Sequence, residues 1–126
     1  MDVELDIADA FGATQALADR FAIYVPNKDR DGNDVDQAAW IARCLRLLSE
    51  ICGGATAMPP LRGAWLNPDT QALVIEEPVI VYTFIKPESF AERISEVVAL
   101  VNEIARATNQ GQMAIEFNQT MFLIDF

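Results

Sequence analysis

The order of elements in this sequence predicts an α+β fold. The expectation is a ferredoxin-like βαββαβ sandwich: an antiparallel sheet, two helices on one face and an extra C-terminal hairpin strand. Three observations predict it. Two long segments repeat apolar residues at three- and four-residue spacing. Several shorter segments alternate or run apolar. Glycine, proline and asparagine stand between them. A chain of 126 residues suits one domain. It divides into an acidic extension over residues 1–20 and a ferredoxin-like core over 21–126.

In the extension, Phe11, Leu17 and Phe21 suggest a short helix broken near Gly12. The first strand is Phe21–Val25, "FAIYV", and Pro26 ends it. The polar loop "NKDRDGNDVD" invites a calcium reading. Counted from Asp29, Gly32 stands fourth and Trp40 twelfth, where an EF-hand needs glycine sixth and glutamate twelfth. The loop reads instead as a turn and a capping box, with Asp34 as the cap and Gln37 three residues on.

"QAAWIARCLRLLSEIC" is the first long helix. It places Trp40, Cys44, Leu47, Leu48 and Ile51 on one face, and Gly53 and Gly54 stop it. "ATAMPPLRGAWL" and "ALVIEEPVIVYTFI" then read as a hairpin around "NPDTQ". Pro68 presets the turn, and Asn67 and Asp69 bond its amides. "PESFAERISEVVALVNEIARA" is the second long helix, with Pro87 in its first turn. Its apolar stripe is Phe90, Ile94, Val97, Val98, Val101 and Ile104. "MAIEF" and "MFLIDF" around "NQT" close the chain as a hairpin.

One strand raises a question. In "VIVYTFI", Val79, Val81 and Ile85 face one way, and Ile80, Tyr82 and Phe84 the other. Antiparallel sheets commonly show one polar face. Both faces here are apolar, so the extension folds back over one or a second copy covers it. A homodimer is the expectation.

Composition removes several chemistries. The chain has no histidine, which excludes Ser-His-Asp and Cys-His catalysis and imidazole metal sites. Cys44 and Cys52 lie eight residues apart on one helix, about 12 Å along its axis at 1.5 Å per residue. That is too far for a disulfide. No metal and no cofactor is expected. The net charge of −10 disfavours direct binding of nucleic acid or an anionic membrane. The apolar run Val79–Ile85 is far short of the ~20 residues that span a bilayer. The acidic start does not fit a signal peptide, and a cytoplasmic protein is expected.

The stretches "DGNDVDQAAW", "GGATAMPPLRGAWLNPDTQ" and "EEPVIVYTF", with the closing hairpin, resemble small bacterial ferredoxin-like proteins classed as domains of unknown function. The resemblance covers about residues 21–124. It implies the fold and brings no activity and no catalytic residue.

Two surfaces are candidates for function. Glu88, Glu92, Glu96 and Glu103 lie within about 80° of one another on a helical wheel, an acidic ridge. With the missing histidine it points to a non-enzymatic regulator acting through protein–protein contact. One form is a DNA-mimic-like inhibitor of a basic nucleic-acid-binding partner. The alternative is a small-ligand binder or small enzyme with a pocket between sheet and helices. Tyr24, Arg62, Trp65, Tyr82 and Glu116 would line it: Arg62 for an anion, the aromatics for a ring, Glu116 as a base. Glu76 and Glu77 are strand neighbours facing opposite ways and form no dyad.

Overall fold

The computed structural model describes residues 4–126. It is a mixed α+β fold with an antiparallel sheet and three helices. In chain order the elements are α1 (Ile7–Phe11), β1 (Arg20–Val25), α2 (Gln37–Cys52), β2 (Thr56–Ala57), β3 (Gly63–Leu66), β4 (Leu73–Glu76), β5 (Val79–Phe84), α3 (Pro87–Ala107), β6 (Gln112–Phe117) and β7 (Thr120–Asp125). The main sheet runs β2-β5-β1-β6-β7, and β3 and β4 form a separate two-stranded ribbon.

α2 and α3 lie on one face of the main sheet. Their apolar stripes meet alternate residues of the strands, as a period of two requires. Ile23, Val25, Val81, Cys44, Leu48 and Ile104 are fully buried there. Asp36, not Asp34, caps α2: its carboxylate accepts from the Ala39 N–H at 3.2 Å. Asp34 lies outside the helix and pairs with Lys28. Gly53 ends α2 in the left-handed region at φ 89°.

The expected single hairpin around "NPDTQ" is divided. Thr56–Ala57 pairs with β5 at the sheet edge, while Gly63–Leu66 pairs with Leu73–Glu76. Pro78 stands between β4 and β5 and cannot donate to a ladder, so the ribbon leaves the sheet there. The α3 stripe is also narrower than its spacing predicts. Phe90, Val97, Val101 and Ile104 are buried, but Ile94 and Val98 are 48% and 53% exposed. α3 sits toward the β6 side of the sheet, and nothing among the described residues covers its outer flank.

Candidate functional site

The sheet face turned away from the helices is the chemically distinctive surface. Register fixes its membership. Ala22 pairs with Tyr82 on one side and Glu116 on the other; Tyr24 pairs with Ile80, and Arg20 with Phe84. Partners across a ladder point the same way. Arg20, Tyr24, Tyr82, Phe84 and Glu116 therefore share one face, with the fully buried Ala22 among them.

Two contacts organise this face. The Tyr24 hydroxyl donates a short hydrogen bond to Glu116 Oε1. Burial, then the bond to Glu116 and the charge of that carboxylate, push the Tyr24 phenol up to about 12, against a smaller pull downward from Arg20. Tyr24 therefore stays a proton donor at neutral pH. The Arg20 guanidinium lies 4.1 Å from the centre of the Tyr82 ring, a cation–π contact. Its Nε is buried with no hydrogen-bond partner. A buried donor without an acceptor costs free energy unless another group supplies one. The Asn118 side chain at the β6–β7 turn accepts from the Arg20 backbone N–H at 2.8 Å and holds that end in place. Phe84 meets the Tyr82 ring edge-on, centroids 6.2 Å apart.

The sequence-predicted pocket residues are thus divided. Tyr24, Tyr82 and Glu116 meet on the open face. They do not lie between sheet and helices, on the side of the packed core. Arg62 and Trp65 belong to the ribbon segment instead. Arg62 is exposed, and Trp65 Nε1 donates to Glu76 Oε1 at 3.1 Å across the β3–β4 pair. Arg20 was not anticipated. Its strand position and its spacing of four from Tyr24 were the available signal.

The acidic ridge is partly neutralised. Arg43 grips Glu103 with two bonds of 2.7 and 2.8 Å, and Arg93 binds Glu96 at 2.6 Å. Glu88 and Glu92 are exposed, without an ion-pair partner among the described residues. No group of acids and cysteines among the described residues is arranged to hold a metal ion. No helix there is long and apolar enough to cross a membrane.

No protein-family model matches the sequence, and no curated protein matches it. Solved structures do. The chain is similar to a phage SAM lyase in complex with S-methyl-5'-thioadenosine, at 17% identity and a TM-score of 0.62, covering 90% of this chain and 95% of that one. The apo state of a phage SAM lyase matches at 20% identity and a TM-score of 0.60, with the same coverage. The fold is one that an enzyme uses. That finding overturns the expectation of a non-enzymatic contact protein, its DNA-mimic form included, and with it the leaning against catalysis. The acidic ridge had suggested otherwise because net charge reports solubility and association, not chemistry.

Proposed function

We propose that this chain is an enzyme that cleaves S-adenosylmethionine, or a closely related sulfonium nucleoside, on the open face of its sheet. The likeness over nine-tenths of the chain to a SAM lyase bound to methylthioadenosine carries the reading. The substrate's own carboxylate oxygen attacks the aminobutyrate carbon bonded to sulfur; a C–O bond forms as the C–S bond breaks and its electron pair goes to sulfur. Methylthioadenosine leaves as a neutral thioether and the aminobutyrate part closes to a lactone that keeps its ammonium group, so neither a general acid nor a general base is needed. A chain without histidine is suited to such a step.

The open face supplies fitting parts. Glu116 places negative charge beside the sulfonium, and Tyr24 holds that carboxylate in position. Tyr82 and Phe84 offer ring surface for the adenine. The unpartnered Nε of Arg20 suits the substrate carboxylate. We read the strand order as ferredoxin-like, with the β3–β4 ribbon inserted before β5 and β7 added at the edge. The exposed Phe84 ring on β5 is consistent with a homodimer, and two buried free cysteines suit a reducing cytoplasm.

The test is incubation of the purified chain with S-adenosylmethionine, reading methylthioadenosine by chromatography and mass. Release above the spontaneous rate, reduced roughly a hundredfold or more by Glu116→Gln, supports the proposal. A wild-type rate equal to the blank overturns it.

A further inference from the structure

The two edges of the main sheet are built differently. One edge is β2, two residues long. Past it the Met58 N–H still donates to the Ile80 carbonyl at 2.9 Å, and Pro59 and Pro60 follow, which cannot donate. A short edge closed by proline offers another strand little to pair with. The other edge is β7, six residues paired with β6 without interruption from Thr120 to Asp125. It holds no lysine, no proline and no bulge, and its one charged residue is Asp125. Met121, Phe122 and Leu123 are 49%, 48% and 59% exposed. Among the described residues no strand lies beyond it.

The phase of the ladder fixes which backbone groups face outward. In an antiparallel pair, residues that bond across the ladder alternate with residues whose N–H and C=O point away from it. Phe126 donates to the Gly111 carbonyl at 2.9 Å. Ile124, Phe122 and Thr120 therefore turn their backbone groups toward β6. Met121, Leu123 and Asp125 turn theirs outward, a row of donors and acceptors that an added strand satisfies.

A second copy of β7 fits this row in one register. Outward groups must meet outward groups, so a two-fold axis passes at Met121, Leu123 or Asp125. An axis at Asp125, or parallel pairing in register, sets two carboxylates against each other, which is destabilising. An axis at Met121 sets Leu123 against Gln119 in the turn. An axis at Leu123 uses the whole strand. Leu123 bonds Leu123 of the second copy, and Met121 bonds its Asp125, for roughly six bonds. Phe122 then faces Ile124 of the second copy in the close non-bonded pair, an aromatic ring against a β-branched side chain, twice over. The two Asp125 residues stand four positions apart along the strands, about 14 Å. That exceeds the Debye length of about 8 Å at physiological salt. We propose that β7 is a dimer interface: two copies join β7 to β7, antiparallel, on a two-fold axis at Leu123, and their sheets continue as one. The contact lies across the sheet from β5 and its exposed Phe84, and it holds whether or not the chain cleaves a sulfonium nucleoside.

The experiment is light scattering of the full chain and its Leu123→Lys variant, with oxidative cross-linking of Leu123→Cys and Met121→Cys variants. The wild type is expected at twice the 13.9 kDa of one chain. Leu123→Lys sets two ammonium groups on the axis and should give the mass of one chain, with the circular dichroism of the wild type. Leu123→Cys should cross-link two copies, because paired Cα atoms about 5.5 Å apart are within disulfide reach. Met121→Cys should not, since the two copies of that position are as far apart as the Asp125 residues. A wild-type mass of one chain overturns the proposal, and so does a mass of three. A dimer that survives Leu123→Lys puts the contact elsewhere and overturns it too. The cysteine variants give a reading that does not depend on the lysine variant folding: cross-linking at Met121→Cys equal to that at Leu123→Cys, or at neither, excludes the two-fold register. Buried Cys44 and Cys52 serve as the uncross-linked control in the wild type.

Discussion

Tyr24 and Glu116, ninety-two positions apart in sequence, are joined by a hydrogen bond across the β1–β6 ladder on the sheet's open face. Among the described residues the pair is the one place where a phenol and a carboxylate are fixed on each other, and it has a titration signature. The folded Tyr24 phenol ionises near 12, against about 10 in the unfolded chain. The folded state therefore holds its proton more tightly. Its contribution to stability is full below pH 10 and is lost as pH rises toward 12. Ultraviolet titration should show one tyrosine ionising late. Glu116→Gln should move that step only part of the way toward 10, since it removes the charge, while burial, the largest cause, stays and a glutamine oxygen still accepts the bond.

Arg43 on α2 and Glu103 on α3 join the two helices on the solvent side by a two-bonded fork. The bond to Arg43 holds the Glu103 carboxyl below the usual glutamate range. A depressed carboxylate stabilises the fold above its unfolded pKa, and that contribution is lost as pH falls through the folded value. Glu103→Gln should narrow the stability difference between pH 7 and pH 3. It should also weaken the salt sensitivity of unfolding, because both side chains are about half exposed. Identical acid and salt curves for the variant and the wild type would show that the fork contributes nothing.

What the sequence disclosed and what it hid divide along local and long-range lines. The α2 face of Cys44, Leu48 and Ile51 is a property of one segment, and periodicity found it. The final turn at Asn118 was legible for the same reason. Pro78 was visible too, yet the apolar run around it read as one strand. Only the β2–β5 pairing shows that the chain leaves the ladder there. Asp34 and Asp36 each satisfy a capping pattern. The choice fell to Asp36 once Asp34 was engaged by Lys28. For the candidate site, Tyr24, Tyr82 and Glu116 were selected by residue type alone. Their shared face depends on a register that no local pattern encodes. Arg20 went unread because, as the first residue of β1, it looked like the end of the polar extension.

The core should answer to volume. Leu48 on α2 is fully buried among strand and helix side chains. Leu48→Ala removes apolar contact and leaves a cavity that close packing cannot fully close, at a cost of about 2–5 kcal/mol. Urea unfolding should show a lower midpoint with an unchanged slope. Ile94→Ala, on the half-exposed flank of α3, should lower the midpoint less, and an equal drop for the two would mean that Ile94 is covered in solution.

Cys44 is a thiol sequestered by its surroundings. Burial pushes it up to about 12, opposed only weakly by the nearby Arg43 charge. The thiolate is the reactive form, and at neutral pH the folded chain holds almost none of it at this position. A disulfide reagent such as dithiobis-nitrobenzoate should leave Cys44 unmodified in the native protein. Buried Cys52 lies on the same helix and should be protected with it by the same core. Both should react on addition of denaturant, at a rate that follows unfolding. Peptide mass mapping checks this residue by residue. Fast modification of Cys44 in the native state would mean that α2 opens from the sheet far more often than its buried face with Leu48 and Ile51 allows.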